Sequence, residues 1–301
     1  MKTPNQKIES PLLDEKEVTL YIKREDTIHP LISGNKYRKL KYNLLEAQKQ
    51  GQTTLLTFGG AFSNHIAAVA CAGHEQGFNT IGVIRGEELE GNWHGNPTLQ
   101  LAHDHGMQFH FVSRSVYRQK TDADFLQQLK NTFGEFYLLP EGGTNALAVK
   151  GCSEILTEED SSFDYICSSV GTGGTMAGII NSTQPHQKVL GFPALKGDFL
   201  NADIRTFAQN ERWQLITDYH FGGYAKVTPE LVQFINRFKK GTGISLDPIY
   251  TGKLVFGIFE LIKQDFFPKR TQILAIHTGG LQGIKGMNQV LEQKKLPLLD
   301  V

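Results

Sequence analysis

Short apolar runs alternate with helically periodic stretches along the whole chain, and the two periods predict its elements. Strands are expected at 20–24, 53–58, 80–84, 108–112, 136–139, 165–170, 188–192 and 272–276. Several carry apolar residues in succession, as in Leu55-Leu56 and Ile273-Leu274-Ala275-Ile276, where a half-exposed strand would alternate. Such runs belong to strands covered on both faces, which means parallel sheets with helices above and below. Helices are expected at 35–50, 64–76, 229–240 and 254–263, the first with Tyr37, Leu40, Leu44 and Leu45 on its apolar face. The order of elements is that of an α/β protein built from repeated strand–helix units. No short-period repeat or low-complexity linker divides the chain. Periodicity leaves open whether the strands form one sheet or two.

The 301 residues suffice for one large domain or two smaller ones. Balanced charge, 31 basic against 31 acidic side chains, argues against nucleic acid as a partner, since counterion release needs clustered Lys and Arg. The pairs Lys39/Lys41 and Lys239/Lys240 read as solvated helix faces. Cys71, Cys152 and Cys167 show no CxxC spacing, so neither a disulfide framework nor a zinc site is suggested. Cys71 and Cys167 read as small buried hydrophobes. No stretch approaches the roughly 18 apolar residues of a membrane helix, and the polar first residues lack the apolar core of a signal peptide. A soluble, cytoplasmic protein is the expectation.

The strand at 165–170 runs into Gly171-Thr-Gly-Gly-Thr175 and then into a helix. Glycines at 171, 173 and 174 permit close backbone approach. The helix start offers free N–H groups and a positive dipole end, and Thr172 and Thr175 add hydroxyl donors. That combination suits a phosphate monoester. A dinucleotide fingerprint would need glycine where Met176 stands, and no Lys-Ser/Thr pair follows as in a nucleotide P-loop. An ordinary strand-to-helix turn stays open as the plainer reading.

Lys36 stands one helical turn before Leu40, so its side chain should point toward the apolar face at a helix start. Desolvation there would lower its pKa and leave a free amine able to attack an aldehyde. Alternatively, its stem packs while the ammonium reaches water.

Five motifs occur in order: Gly34-Asn-Lys-Tyr-Arg-Lys-Leu40, Ser63-Asn-His65, Gly171-Thr-Gly-Gly-Thr175, Asp247-Pro-Ile-Tyr-Thr-Gly-Lys253 and His277-Thr-Gly-Gly280. Together they resemble the 1-aminocyclopropane-1-carboxylate deaminase and D-cysteine desulfhydrase family of fold-type II pyridoxal-phosphate enzymes, over about residues 21–283. The resemblance implies a tryptophan-synthase-beta-like fold: two open, twisted, mostly parallel sheets flanked by helices, with pyridoxal 5'-phosphate in the interdomain cleft. A larger cofactor-binding domain would take residues 1–38 and 145–301, and a smaller inserted one residues 39–144. The enzyme would be a homodimer acting on a small amino acid.

The resemblance also implies roles residue by residue. Lys36 would form the Schiff base, and Gly171, Thr172, Gly173, Gly174 and Thr175 would hold the phosphate. Asn64 would meet the cofactor's 3-hydroxyl. Thr278 would approach the pyridine nitrogen, where a hydroxyl makes a milder electron sink than a carboxylate. Ser63, Asn64 and the backbone near His65 would hold the substrate carboxylate at a helix N-terminus; Ser63 or Asn64 is equally a simple N-cap. Tyr250 would take part in proton transfer and Tyr224 would pack near the ring or substrate. Without the family, either is an ordinary half-buried tyrosine.

Thr251 and Thr278 stand where the ring-opening deaminases carry Glu and Leu, which points to the desulfhydrase branch. There, Lys36 or Tyr250 would remove the α-proton of a D-amino acid such as D-cysteine, and β-elimination would give pyruvate, ammonia and sulfide. Deamination of 1-aminocyclopropane-1-carboxylate to 2-oxobutyrate is the alternative within the family. Phe62 and Ile66 depart from the family's usual residues around Ser63-Asn-His65, on the substrate side. A non-catalytic binder of a phosphorylated metabolite, using the 171 loop alone, is the alternative from another class. His103 and His105 do not share a helix face, and with His110 they read as surface histidines, with no metal expected.

Overall fold

The computed structural model describes residues 1–197 and 199–300. Its described strands are β1 (Asn5–Ile8), β2 (Thr19–Lys23), β3 (Thr54–Gly60), β4 (Asn79–Arg85), β5 (Met107–Val112), β6 (Tyr137–Leu139), β7 (Tyr165–Val170), β8 (Lys188–Pro193), β9 (Trp213–Leu215) and β10 (Gln272–Ile276). They form two sheets, ordered β1-β2-β10-β7-β8-β9 and β5-β4-β3-β6. Every neighbouring pair is parallel except β1 with β2. The chain lays down β1 and β2, leaves to build the whole second sheet, and returns for β7 to β9. Finally β10 enters between β2 and β7. Among the described residues, no helix is long and apolar enough to cross a membrane.

The apolar runs are explained by burial on both faces. Along β10, Ile273 and Ala275 join one core cluster while Leu274 and Ile276 join another on the opposite side of the sheet. In β3, Leu55 faces one cluster, and Leu56 and Phe58 face a second. Each sheet is therefore the middle layer of a three-layer stack. The eight strands expected from sequence are present with small shifts at their ends. Two were missed: β1 reads as a polar tail, and β9 is a three-residue edge strand, too short for a periodic signal.

The helices that matter for the site are α1 (Asn35–Lys49), α2 (Asn64–Gln76), α3 (Ala146–Cys152), α4 (Gly174–Ser182), α5 (Thr251–Lys263) and α6 (Gly283–Gln293). The face assigned to α1 needs correction. Leu45 is 54% exposed, whereas Arg38, Lys39 and Asn43 are buried beside Leu40 and Ala47. Lys39 is thus no solvated surface lysine. This buried face is polar because each group meets a partner. Arg38 donates from Nε and Nη2 to the two carboxylate oxygens of buried Glu25, both at 2.9 Å. Asn43 donates to the Lys39 carbonyl at 2.8 Å.

Helices α1 and α3 touch backbone to backbone. A Cβ built on Gly151 would lie 1.9 Å from the Arg38 carbonyl oxygen. Ala in a helix interior ordinarily outranks Gly by about 1 kcal/mol, so the local and tertiary effects of Gly151→Ala have opposite signs. Forcing the helices apart should win, with a net destabilisation of roughly 1–3 kcal/mol, read from the midpoint of denaturant unfolding. A neutral or stabilised variant would contradict this packing.

Candidate active site

Both sheets change winding direction at one place. From β3 the chain winds outward through β4 and β5, and β6 lies on the other flank of β3. From β7 it winds through β8 and β9, and β10 lies on the other flank of β7. In open α/β sheets, ligands settle outside the carboxyl ends of strands at such switch points. Here the two switch points meet. The segments leaving these four strands are Ser63-Asn64-His65 after β3, Gly142-Gly143-Thr144 after β6, Gly171–Thr175 after β7 and Thr278-Gly279-Gly280 after β10.

Their contacts close the ring. The Ser169 and Thr278 hydroxyls lie 3.1 Å apart at the ends of β7 and β10. A Cβ on Gly143 would come within 2.7 Å of the His65 ring, one on Gly142 within 2.8 Å of Thr172, and one on Gly280 within 2.7 Å of Asn64 Nδ2. Asn64 Oδ1 also accepts from Gln282 Nε2 at 2.9 Å.

Lys36 enters this ring through the start of α1. Gly34, the N-cap, has φ 64°. A Cβ there would fall 1.9 Å from the Thr278 carbonyl oxygen, and the Asn35 N–H donates to that same oxygen at 3.2 Å. Asn35 then faces two ways. Its Oδ1 accepts from Lys36 Nζ at 3.2 Å, and its Nδ2 donates to Thr175 Oγ1 at 2.8 Å. One amide thus ties the lysine to the glycine loop. Lys36 is half-buried, and burial, aided by the charge of Lys39, lowers its amine from 10.5 to about 7.

The glycine loop is built as an anion cradle. Gly173, the N-cap of α4, lies in the left-handed region at φ 79°, and no side chain caps the helix. The first N–H groups of α4 therefore have no partner within the helix and aim into the loop. Lys39 supplies a cation beside them, its Nζ donating to the Gly142 carbonyl at 2.8 Å, to Thr144 Oγ1 at 3.0 Å and to Thr172 Oγ1 at 3.4 Å. The Thr144 and Thr172 hydroxyls are 2.6 Å apart. Glycine backbone, threonine hydroxyls and a lysine form a donor set that fits a phosphate, with an amine of lowered pKa nearby for an aldehyde. Sequence reasoning missed Asn35, Lys39 and Thr144. The first two sit inside the Gly34–Leu40 motif, and the Gly142-Gly143 pair after a strand was the available signal for the third.

On the facing side, Ser63 Oγ accepts from the His65 and Ile66 N–H groups at 3.3 Å each, so Ser63 is the N-cap of α2. Its own O–H stays able to donate. The His65 ring is buried, and among the described residues neither ring nitrogen finds a partner. Burial, with the charges of Lys36 and Lys39, holds its pKa well below 6.5, so the imidazole is neutral. Phe62 is turned elsewhere: its ring lies where a Cβ on Gly286 of α6 would be 2.7 Å away. Phe62 is 40% exposed beside α6.

Tyr250 sits at the N-cap of α5, its ring close enough that a Cβ on Gly171 would be 3.2 Å from Cε1. Tyr224 packs edge-on against it, ring centroids 6.2 Å apart. Buried Asp247 fixes the turn, accepting from the N–H groups of Ile249, Tyr250 and Thr251 at 2.8–2.9 Å and from the Thr251 hydroxyl at 2.6 Å. Thr251 is fully buried with its hydroxyl committed to Asp247, so it faces no substrate. Of the two threonines that point to the desulfhydrase branch, only Thr278 lies within the ring. Burial raises the Tyr250 phenol well above 10, and nearby Tyr224 and Asp247 push the same way.

Known proteins resemble this chain over most of its length. The family described as "Pyridoxal-phosphate dependent enzyme" matches residues 2–279. The chain is 30% identical over 294 residues to the bifunctional D-cysteine desulfhydrase/1-aminocyclopropane-1-carboxylate deaminase, mitochondrial, of Arabidopsis thaliana, which covers 88% of this chain and 73% of that protein. It is 28% identical over 301 residues to the D-cysteine desulfhydrase of Serratia proteamaculans, covering 92% and 91%. A solved structure described as an ACC deaminase homologue superposes with a TM-score of 0.83 at 29% identity, covering 97% of this chain and 94% of that one.

The lowered amine can be measured directly. In protein stripped of any bound aldehyde, after 13C reductive methylation, the Lys36 signal, assigned with Lys36→Arg, should titrate near pH 7, well below the surface lysines. Lys39→Met removes a like charge and should move that midpoint upward. A Lys36 signal that titrates with the surface lysines would refute the desolvation argument.

Proposed function

We propose, from the premise that this chain belongs to the family of pyridoxal-phosphate dependent enzymes, that it is a lyase of the D-cysteine desulfhydrase type. It would convert D-cysteine and water to pyruvate, ammonia and hydrogen sulfide. The observation that carries the reading is the Asn35 side chain, hydrogen-bonded at once to Lys36 and to Thr175. An amine and a phosphate cradle linked by a single residue match a cofactor that carries an aldehyde at one end and a phosphate at the other.

In this reading, Gly171 to Thr175, with Lys39, hold the phosphate, and Lys36 is the residue that binds the cofactor covalently. Thr278 and Ser169, whose hydroxyls lie 3.1 Å apart, would serve the pyridine nitrogen, and Asn64 would serve the 3-hydroxyl. When bound, pyridoxal phosphate supplies a conjugated electron sink for the electron pair left at the substrate's α-carbon. The start of α2 takes the substrate carboxylate through Ser63 Oγ–H and the N–H groups of Asn64 and His65. An amine near pKa 7 can accept the α-proton at neutral pH, which favours Lys36 over Tyr250 as the base. Tyr250 keeps its proton and serves as a donor toward the departing sulfur. Tyr224 packs against it and bounds the substrate side. Neutral His65 adds no positive charge to compete for the carboxylate.

A second reading, deamination of 1-aminocyclopropane-1-carboxylate, is supported by the Arabidopsis relative, whose name joins both activities. The hydroxyl of Thr278 at the pyridine side favours elimination of a good leaving group over ring opening. Assembly as a homodimer, a cytoplasmic location and the division into residues 1–38 with 145–301 and 39–144 belong to the same proposal, on the strength of the family resemblance.

Purified enzyme should release sulfide and pyruvate from D-cysteine with kcat/KM at least about 100-fold above that for 2-oxobutyrate from 1-aminocyclopropane-1-carboxylate. Robust 2-oxobutyrate without pyruvate would reverse the two readings. Lys36→Ala should lose the yellow absorption of the covalently bound cofactor and at least about 1,000-fold in kcat. A variant that kept both would remove Lys36 from the proposal.

A further inference from the structure

Lys253 closes the Asp247–Lys253 motif, one helical turn after Tyr250 in α5, and it is only 2% exposed. Buried lysines need partners. Among the described residues it makes no ion pair with a carboxylate: its Nζ donates to two backbone carbonyls, His220 at 2.9 Å and Gly223 at 2.8 Å. Both belong to the loop that delivers Tyr224. Burial lowers the amine to about 8 against the pull of Asp247, and either protonation form retains two donors for these two carbonyls.

The loop needs a tether. Phe221, Gly222, Gly223 and Ala225 all have positive φ, at 54°, 91°, 117° and 56°, and two of these are not glycine. Such conformations persist only where surroundings over-determine them. Within the loop, the Gly223 N–H donates to the His220 carbonyl at 3.0 Å, and the Gly222 N–H donates to His220 Nδ1 at 2.9 Å. Phe221 packs edge-on against Phe256 of α5, centroids 4.9 Å apart. Tyr224 itself is 40% exposed, so its own packing holds it weakly. Its direction is set by the backbone immediately before it, where Lys253 binds.

We propose that Lys253 is a positioning residue: it ties the 220–223 turn to the helix that begins at Tyr250, and thereby sets Tyr224 against Tyr250. The role rests on the reading of the two tyrosines as active-site groups. It also accounts for a lysine at the end of the motif: a long stem with several donors can reach two carbonyls at once, whereas an apolar residue of equal length would leave them only the turn's own N–H donors, Gly223 and Lys226, and no bond to α5.

The test compares Lys253→Met, Tyr224→Phe and the double variant in holoenzyme, by D-cysteine turnover and by amide hydrogen exchange. Lys253→Met should retain the cofactor's absorption, exchange its amides at 219–225 at least about 10-fold faster, and lose at least about 10-fold in kcat/KM. In the Tyr224→Phe background, the same substitution should cost less than about 3-fold, because the residue it positions is already altered. Gly223→Ala, which strains the turn from its own side and leaves α5 intact, should reproduce the pattern should Lys253→Met fold poorly. Wild-type exchange in the turn, or losses that multiply in the double variant, would overturn the proposal. A fully active Tyr224→Phe enzyme beside a loosened turn would sink the reading of the tyrosines while upholding the tether.

Discussion

The first turn of α1 rests on the Thr278 carbonyl, two residues past the end of β10, and the site hangs from that contact. Gly34 can occupy φ 64° with its Cα against the Thr278 carbonyl, where any Cβ would collide at 1.9 Å. Because Gly34 sits so close, the Asn35 N–H reaches the same oxygen, and the Asn35 side chain is delivered to Thr175 on the neighbouring loop. Lys36 follows with little freedom left in its backbone. An amine meant to meet one atom of a bound molecule is best held by a rigid element whose own position is fixed, and here a helix start and a strand end fix each other.

Two buried lysines, Lys39 and Lys253, and the half-buried Lys36 surround this frame, and their partners separate their roles. Lys39 donates to a carbonyl and two hydroxyls, and Lys253 to two carbonyls. Both are held in place. Lys36 has one neutral partner, the Asn35 amide, and a like charge nearby. Burial lowers Lys39 and Lys253 to about 8, and burial with the charge of Lys39 takes Lys36 to about 7. For Lys36, burial is the larger cause and the like charge adds to it.

The carboxylate of Asp247 works in the opposite sense. It satisfies three backbone N–H groups at the start of α5 and takes the Thr251 hydroxyl as well, so the turn that presents Tyr250 is rigid and Thr251 is consumed as structure. With Lys253 anchoring the Tyr224 turn from the same helix, the two tyrosines form one mechanical unit. At the start of α2, Ser63 both caps the helix and keeps a donor free.

Much of this was legible along the chain. Uninterrupted apolar strands required sheets covered on both faces, and β7 and β10 were found to the residue. The glycine loop and Lys36 were visible because glycine spacing and a helix start are local features. The buried polar face of α1 was not, and Lys39 was misread as solvated, because periodicity reports only where apolar residues fall. What decides a polar residue's role is its partner, and those partners are remote: Lys39 meets Gly142 across 103 positions, and Asn35 meets Thr175 across 140. A local pattern can state that a lysine begins a helix. Only the closed fold, by bringing the ends of four strands together, determines which lysine is held as a charge and which is stripped of its partners.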